Sequence, residues 1–119
     1  MRRWIFIGIV VLLVIFVWLR FFPPRAWLNL TKQVEISPAS GAALVEKYEC
    51  RGCHRIEGEG ALVGPQLDGI LEYKDPEIIR LWLHNPRAIK GNTPMPNFHL
   101  SDSEVEAIMA YLETLSQSQ

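Results

Sequence analysis

The sequence predicts an all-α chain, with one N-terminal membrane-spanning helix followed by a small domain of three to four short helices. Three observations carry that prediction. An apolar run without a charge extends from Trp4 to Leu19. Beyond residue 36, apolar positions recur at helical spacing between Gly- and Pro-rich breaks, and no alternating strand pattern occurs. The charge is also split. Across 119 residues, 12 Lys and Arg nearly balance 13 Asp and Glu. Yet residues 1–36 stand at +4 (five Arg or Lys against Glu35) and residues 37–119 at −5 (seven against twelve acids). The length allows one domain, and a near-neutral total does not suit a general nucleic-acid binder. The chain divides into an anchor (1–24), an interfacial linker (25–36) and a soluble domain (37–119).

Residues 4–22 form about 28 Å of helix at roughly 1.5 Å per residue, close to the ~30 Å of a hydrocarbon core. Arg20 stands at the end of the run, where its long side chain reaches the interface. Trp4, Trp18 and Trp27 lie near the two boundaries, where indoles prefer to sit. Pro23-Pro24 stops the helix. A cleavable signal has a core of about 7–15 apolar residues before a small-x-small site. Here the run is longer and Phe-Phe-Pro-Pro-Arg-Ala-Trp follows, so a retained anchor is the reading. Arg2 and Arg3 favour a cytoplasmic N-terminus, while Arg20 and Arg25 compete from the other flank. In the linker, Trp27, Leu28 and Leu30 are expected at the headgroups or against a partner subunit.

Ser37-Pro38 offers an N-cap with proline at the first helical position. Gly41, Leu44, Val45 and Tyr48 then share one face leading to Cys50. Five glycines and a proline between Gly52 and Gly69 exclude a long regular element. Asp75-Pro76-Glu77 restarts a helix whose apolar side is Ile78, Ile79, Trp82 and Leu83, and Asn85-Pro86 ends it. After the irregular stretch 90–99, Ser101 and Glu104 form a capping box, with Leu100 and Val105 at the flanking apolar positions. Val105, Ile108, Met109 and Leu112 make the buried stripe of the last helix. Glu57/Glu59 and Glu104/Glu106 are expected on solvated faces. Helices this short bury little apolar surface, and such a domain usually needs a staple.

Cys50-Arg51-Gly52-Cys53-His54 supplies one. C-x-x-C-H is the signature of covalent c-type haem attachment, in which two thiols add to the vinyl groups and the adjacent imidazole binds iron. Cys50 and Cys53 are the only cysteines, so no second pair exists for a zinc site, and no βαβ pattern surrounds a redox dithiol. The expected cofactor is one haem c. Its attachment outside the cytoplasm puts the N-terminus inside and the haem domain on the periplasmic or extracellular face of the cell membrane. Candidates for the sixth ligand are Met95, Met109, His84 and His99. Met109 reads as core filling, and His84 as a surface or capping residue at a helix end. Met95, held between Pro94 and Pro96 in a stiff loop, is the expected ligand opposite His54. Such His/Met ligation raises the reduction potential and closes the iron to small molecules.

With these elements, residues 38–119 resemble a class I cytochrome c domain. Gly41 resembles the glycine of that family's first helix, which implies close approach of Tyr111 and Leu112 from the last. Gly64-Pro65-x-Leu67 resembles the segment beside the proximal ligand, which implies that the Pro65 carbonyl orients His54. By the same resemblance Trp82 packs near the haem edge, and Asn97-Phe98 follows the distal loop. Val45 stands where the family often has an aromatic. The implied cofactor-binding set is Cys50, Cys53, His54, Pro65, Trp82 and Met95, with His54 and Met95 on the metal and no catalytic residue. The implied function is one-electron transfer as a membrane-anchored subunit of an electron-transport complex, with redox proteins as partners. The chain is similar to the small haem subunits of nitric oxide reductases and haem-copper oxidases. A free-standing tethered carrier and a haem-based ligand sensor are the alternatives, and the short linker favours a fixed subunit.

Overall fold

The computed structural model describes residues 1–117. Helix α1 spans Arg2–Phe21, buries none of its side chains, and ends at Phe22 before Pro23-Pro24. A helix that is apolar on every side and unpartnered within its chain suits lipid, where all its backbone hydrogen bonds are made internally.

The linker is more ordered than its composition suggests. Arg25–Thr31 forms helix α2, and Leu28 is buried within the chain's own fold while Trp27 and Leu30 stay exposed. The reason lies at Asp102, which opens the last helix. Asn29 Oδ1 accepts from the Asp102 backbone N–H at 2.8 Å, and Asn29 Nδ2 donates to Asp102 Oδ2 at 2.5 Å. An orphan donor of the helix N-terminus thus finds its partner in α2. The Arg25 guanidinium also donates to Asp102 and to the His84 ring. Further along, the Lys32 carbonyl accepts from Ser101 Oγ at 2.5 Å, and the Val34 N–H donates to Ser103 Oγ at 3.2 Å.

Helix α3 (Pro38–Lys47) starts as expected, with Ser37 Oγ accepting from the Ser40 N–H at 3.2 Å. Single-turn helix α4 (Ile70–Tyr73) precedes α5 (Pro76–His84), where the Asp75 carboxylate accepts from the Glu77 N–H at 2.8 Å. A second single turn, α6 (Pro86–Ile89), and the long α7 (Asp102–Gln117) follow. Among the described residues the only extended pairing is an isolated bridge between Ile56 and Glu59.

The core is built on the crossing of α3 and α7. A Cβ on Gly41 would stand 2.0 Å from the Ala107 carbonyl oxygen and 2.7 Å from Tyr111 Cβ, so the helices meet at backbone contact. Tyr111 is one of the residues the sequence pointed to, and Ala107, one turn earlier, makes the tightest contact. Leu44 and Val45 of α3 join Val105, Ile108, Met109 and Leu112 of α7, with Ile56, Ile70 and Ile79 closing the cluster. Met109 is 5% exposed, in keeping with core filling.

Glu104 departs from the expected solvated face. It is 1% exposed. The capping box is reciprocal: the Glu104 N–H donates to Ser101 Oγ at 3.2 Å, and Glu104 Oε2 accepts from the Ser101 N–H at 3.0 Å. That turn carries the carboxylate inward beneath the end of α3, where the Tyr48 hydroxyl donates to it at 2.8 Å. Burial and this carboxylate push the Tyr48 hydroxyl pKa well up. Glu106 is not free either, since Arg80 grips it with two nitrogens at 2.7 and 3.1 Å.

Candidate functional site

The C-x-x-C-H segment leaves α3 through Glu49, whose φ of +53° turns the chain into a 3-10 turn, Cys50–Gly52. The His54 N–H donates to the Cys50 carbonyl at 2.9 Å, closing the motif into one compact turn. Both cysteines are half-buried, and no disulfide joins them.

The loop that follows folds back over this turn. The Ala61 N–H donates to the Arg51 carbonyl at 3.0 Å, the Gly64 N–H to the Cys53 carbonyl at 2.8 Å, and the Leu67 N–H to the Arg55 carbonyl at 3.0 Å. His54 Nδ1 lies 2.8 Å from the Pro65 carbonyl oxygen. A carbonyl can only accept, so Nδ1 carries the proton and Nε2 presents the lone pair a metal requires. Gly64 is a cradle for the ring. A Cβ there would stand 2.4 Å from Cε1 and 2.7 Å from Nδ1, so no other residue fits beneath the imidazole. Two adjacent thiols, an imidazole of fixed tautomer and a glycine shelf fit a covalently attached haem. Among the described residues no three His, Cys, Asp or Glu side chains converge as a cluster for a bare metal ion.

Arg51 holds this knot and was not singled out from the sequence, because an x position in the motif carries no signal. Its Nε donates to Glu46 on α3 at 2.7 Å, one terminal nitrogen reaches the Ile56 carbonyl, and the other lies 3.2 Å from Glu57. Glu57 in turn accepts from the Tyr111 hydroxyl of α7 at 2.7 Å. That bond, then Arg51, holds the Glu57 carboxyl below its usual range, while burial and Glu57 push the Tyr111 hydroxyl up to about 12. Glu57 is therefore exposed yet paired, rather than merely solvated.

Of the remaining expected residues, Trp82 is half-buried on α5, and Met95 is half-buried in the loop between α6 and α7. The Met95 N–H lies 3.3 Å from Thr93 Oγ1. Neither belongs to the hydrogen-bonded knot at His54. His84 is engaged by Arg25 and stands 3.9 Å from Asp102, a surface role as expected. His99 adopts a left-handed φ of +50° and donates its N–H to Asn97 Oδ1 at 2.9 Å.

The cytochrome c family model matches residues 38–116. The chain belongs to the cytochrome c family. A solved cytochrome c from Rhodothermus marinus superposes with a TM-score of 0.57 at 25% identity, covering 75% of this chain and 90% of that one. A nitric oxide reductase subunit from Stutzerimonas stutzeri is 27% identical over 124 residues, covering 98% of this chain and 85% of the relative. Cytochrome c oxidase subunit 2 of Alkalihalophilus pseudofirmus is 32% identical over 85 residues, and this chain spans only 25% of its length. As a cytochrome c, the chain carries one covalently bound c-type haem and is an electron carrier rather than a catalyst. Cys50 and Cys53 are the thiols of its attachment motif, and α1 serves as a membrane anchor.

Proposed function

We propose that this cytochrome c is the haem subunit of a membrane-bound oxidoreductase of the nitric oxide reductase kind, receiving single electrons and passing them to a catalytic subunit. The observation that carries this is the span of the likeness to the Stutzerimonas reductase subunit: 98% of this chain, anchor and linker included. The haem, when bound, supplies a one-electron ferric/ferrous couple. Cys50 and Cys53 would hold it covalently, and His54 and Met95 would supply the two ligands to its iron. Pro65 accepts from His54 Nδ1, fixing the ring's tautomer and making the imidazole a stronger donor. Trp82 would pack beside the haem. The N-terminus is cytoplasmic, and the domain from residue 37 onward lies on the outer face of the cell membrane. The docking of α2 onto α7 supports a subunit fixed in its complex over a carrier swinging on a tether.

Extraction in mild detergent, followed by identification of the co-purifying chains, tests the assignment. A large haem-containing membrane subunit is expected at constant stoichiometry, and recovery of the chain alone would reject it. Met95→Ala should abolish the weak far-red ferric absorption of a methionine–iron bond, and survival of that band would reject the ligand.

A further inference from the structure

Lys32 lies outside the span that matches the cytochrome c family, residues 38–116, yet its ammonium is bonded within the domain. It lies 3.0 Å from the His99 carbonyl oxygen, 3.5 Å from that of Phe98 and 3.4 Å from the Tyr48 hydroxyl. An ammonium has three N–H donors, and here each has an acceptor. The acceptors join two parts of the molecule. Phe98 and His99 follow Met95 by three and four residues, and Tyr48 stands two residues before Cys50. The Tyr48 and Phe98 rings also meet, with centroids 5.4 Å apart. The ammonium lies 5.7 Å from the Tyr48 ring centroid, adding a cation–π attraction.

The loop needs such a grip. His99 holds a left-handed backbone conformation, uncommon for any residue with a side chain, at the point where the chain turns into α7. Lys32 binds the carbonyl of that residue. Its own position is fixed by neighbours: its carbonyl accepts from Ser101 Oγ at 2.5 Å, and Asn29 is bonded to Asp102.

We propose that Lys32 is a positioning residue for the methionine loop, pinning the backbone on the C-terminal side of Met95 and so setting how readily Met95 leaves the iron. This rests on the reading that Met95 is the axial ligand. The anchor-proximal segment is then a working part of the haem site.

The test uses the full-length ferric holoprotein in detergent at neutral pH, with free imidazole as a competitor for the place of Met95. Imidazole binds only when the loop has released the thioether, so its apparent affinity scales with the open fraction. Lys32→Met keeps the hydrocarbon stem and removes all three donors. It should retain the far-red methionine band yet bind imidazole about tenfold more tightly, because charged hydrogen bonds holding the loop are gone. Lys32→Arg, which keeps a cation and donors, should stay near wild type. Ile108→Val trims the buried stripe of α7, lowers global stability with the Lys32 hydrogen bonds intact, and should leave the imidazole affinity unchanged. Should Lys32→Met fail to assemble, Lys32→Gln carries the same test with one amide donor group. Wild-type affinity in Lys32→Met, with the band lost in Met95→Ala, overturns the inference alone. A band that survives in Met95→Ala overturns the ligand reading and the inference together. An equal affinity gain in Ile108→Val also overturns it, since the effect would then be global.

Discussion

Replacing Gly64 by alanine probes the haem site at its tightest contact. The backbone φ at Gly64 lies outside the left-handed region, so alanine meets no conformational barrier and the whole cost is contact. The new methyl would start 2.4 Å from His54 Cε1 and 2.7 Å from Nδ1. Carbon atoms rest at about 3.5–4.0 Å, so ring and loop must part by roughly 1 Å. The bond from Nδ1 to the Pro65 carbonyl, 2.8 Å long, cannot survive that displacement. Overpacking costs about 1–3 kcal/mol and the lost bond about 1 kcal/mol, offset by about 0.4–1 kcal/mol from stiffening the unfolded chain. A net loss of about 1–3.6 kcal/mol corresponds to a fall in Tm of roughly 5–25 °C for a domain of this size. Under the proposed ligation by His54, the imidazole without its carbonyl partner would be a weaker donor to ferric iron, so the reduction potential should rise. If the hydrogen bond favours the ferric state by about 1 kcal/mol, the rise is about 40 mV, since a tenfold preference corresponds to ~59 mV for one electron. Spectroelectrochemical titration gives the potential, and thermal melting followed in the Soret band gives the stability. Gly91→Ala, where nothing lies within 4 Å, is the control and should change neither. A Gly64→Ala protein with wild-type potential and Tm would refute the cradle.

Gly41→Ala should be costlier for stability and silent toward the ligands. A methyl 2.0 Å from a helix carbonyl oxygen can be relieved only by parting α3 from α7, at about 3 kcal/mol or more by chemical denaturation. A loss below about 1 kcal/mol would mean that the crossing is looser than described. Acid should destabilise the fold in two stages. Burial and the Arg25 guanidinium hold the His84 ring below its ordinary 6.5, so its contribution is complete above that value and is lost as the pH falls through the folded one. Glu57, Asp102 and Glu106 are held below their ordinary 4.5, 3.8 and 4.5 by hydrogen bonds, chiefly from Tyr111, Arg25 and Arg80 respectively. Their contribution is present above those values and disappears at still lower pH. Urea midpoints measured between about pH 8 and pH 3 should show both declines, and His84→Gln should remove the first. A flat midpoint above about pH 5 in the parent protein would contradict the role of His84.

What could be read from the sequence was what local spacing encodes. The uncharged run from Trp4, the C-x-x-C-H turn, the Ser101–Glu104 box and the apolar stripe of α7 each depend on neighbours a few residues away. Pro65 was legible through the family resemblance, and its bond to His54 follows in the structure. What escaped depends on distant partners. Asn29 and Arg25 find Asp102 across 73 and 77 residues, so nothing local marks 25–31 as a docked helix. The capping box announces where α7 begins, but not that Tyr48 lies opposite Glu104, which is what draws that carboxylate inside. Arg51 joins α3, the loop and, through Glu57, α7 from a position the motif leaves open. The single turns α4 and α6 are too short for periodicity to register.

The docked α2 also changes how the chain explores space. A free linker of the length of residues 25–36 would have a root-mean-square span of about 19 Å at roughly 5–6 Å per square root of residue number. A haem on such a leash would search a wide hemisphere above the bilayer, and each electron transfer would wait on diffusion within it. Bonded through Arg25, Asn29, Lys32 and Val34 to α5, α7 and the methionine loop, the segment permits no such search. The tether between anchor and haem domain shrinks to the joint at Phe22–Pro24, so motion of the domain over the membrane becomes a pivot in place of a search.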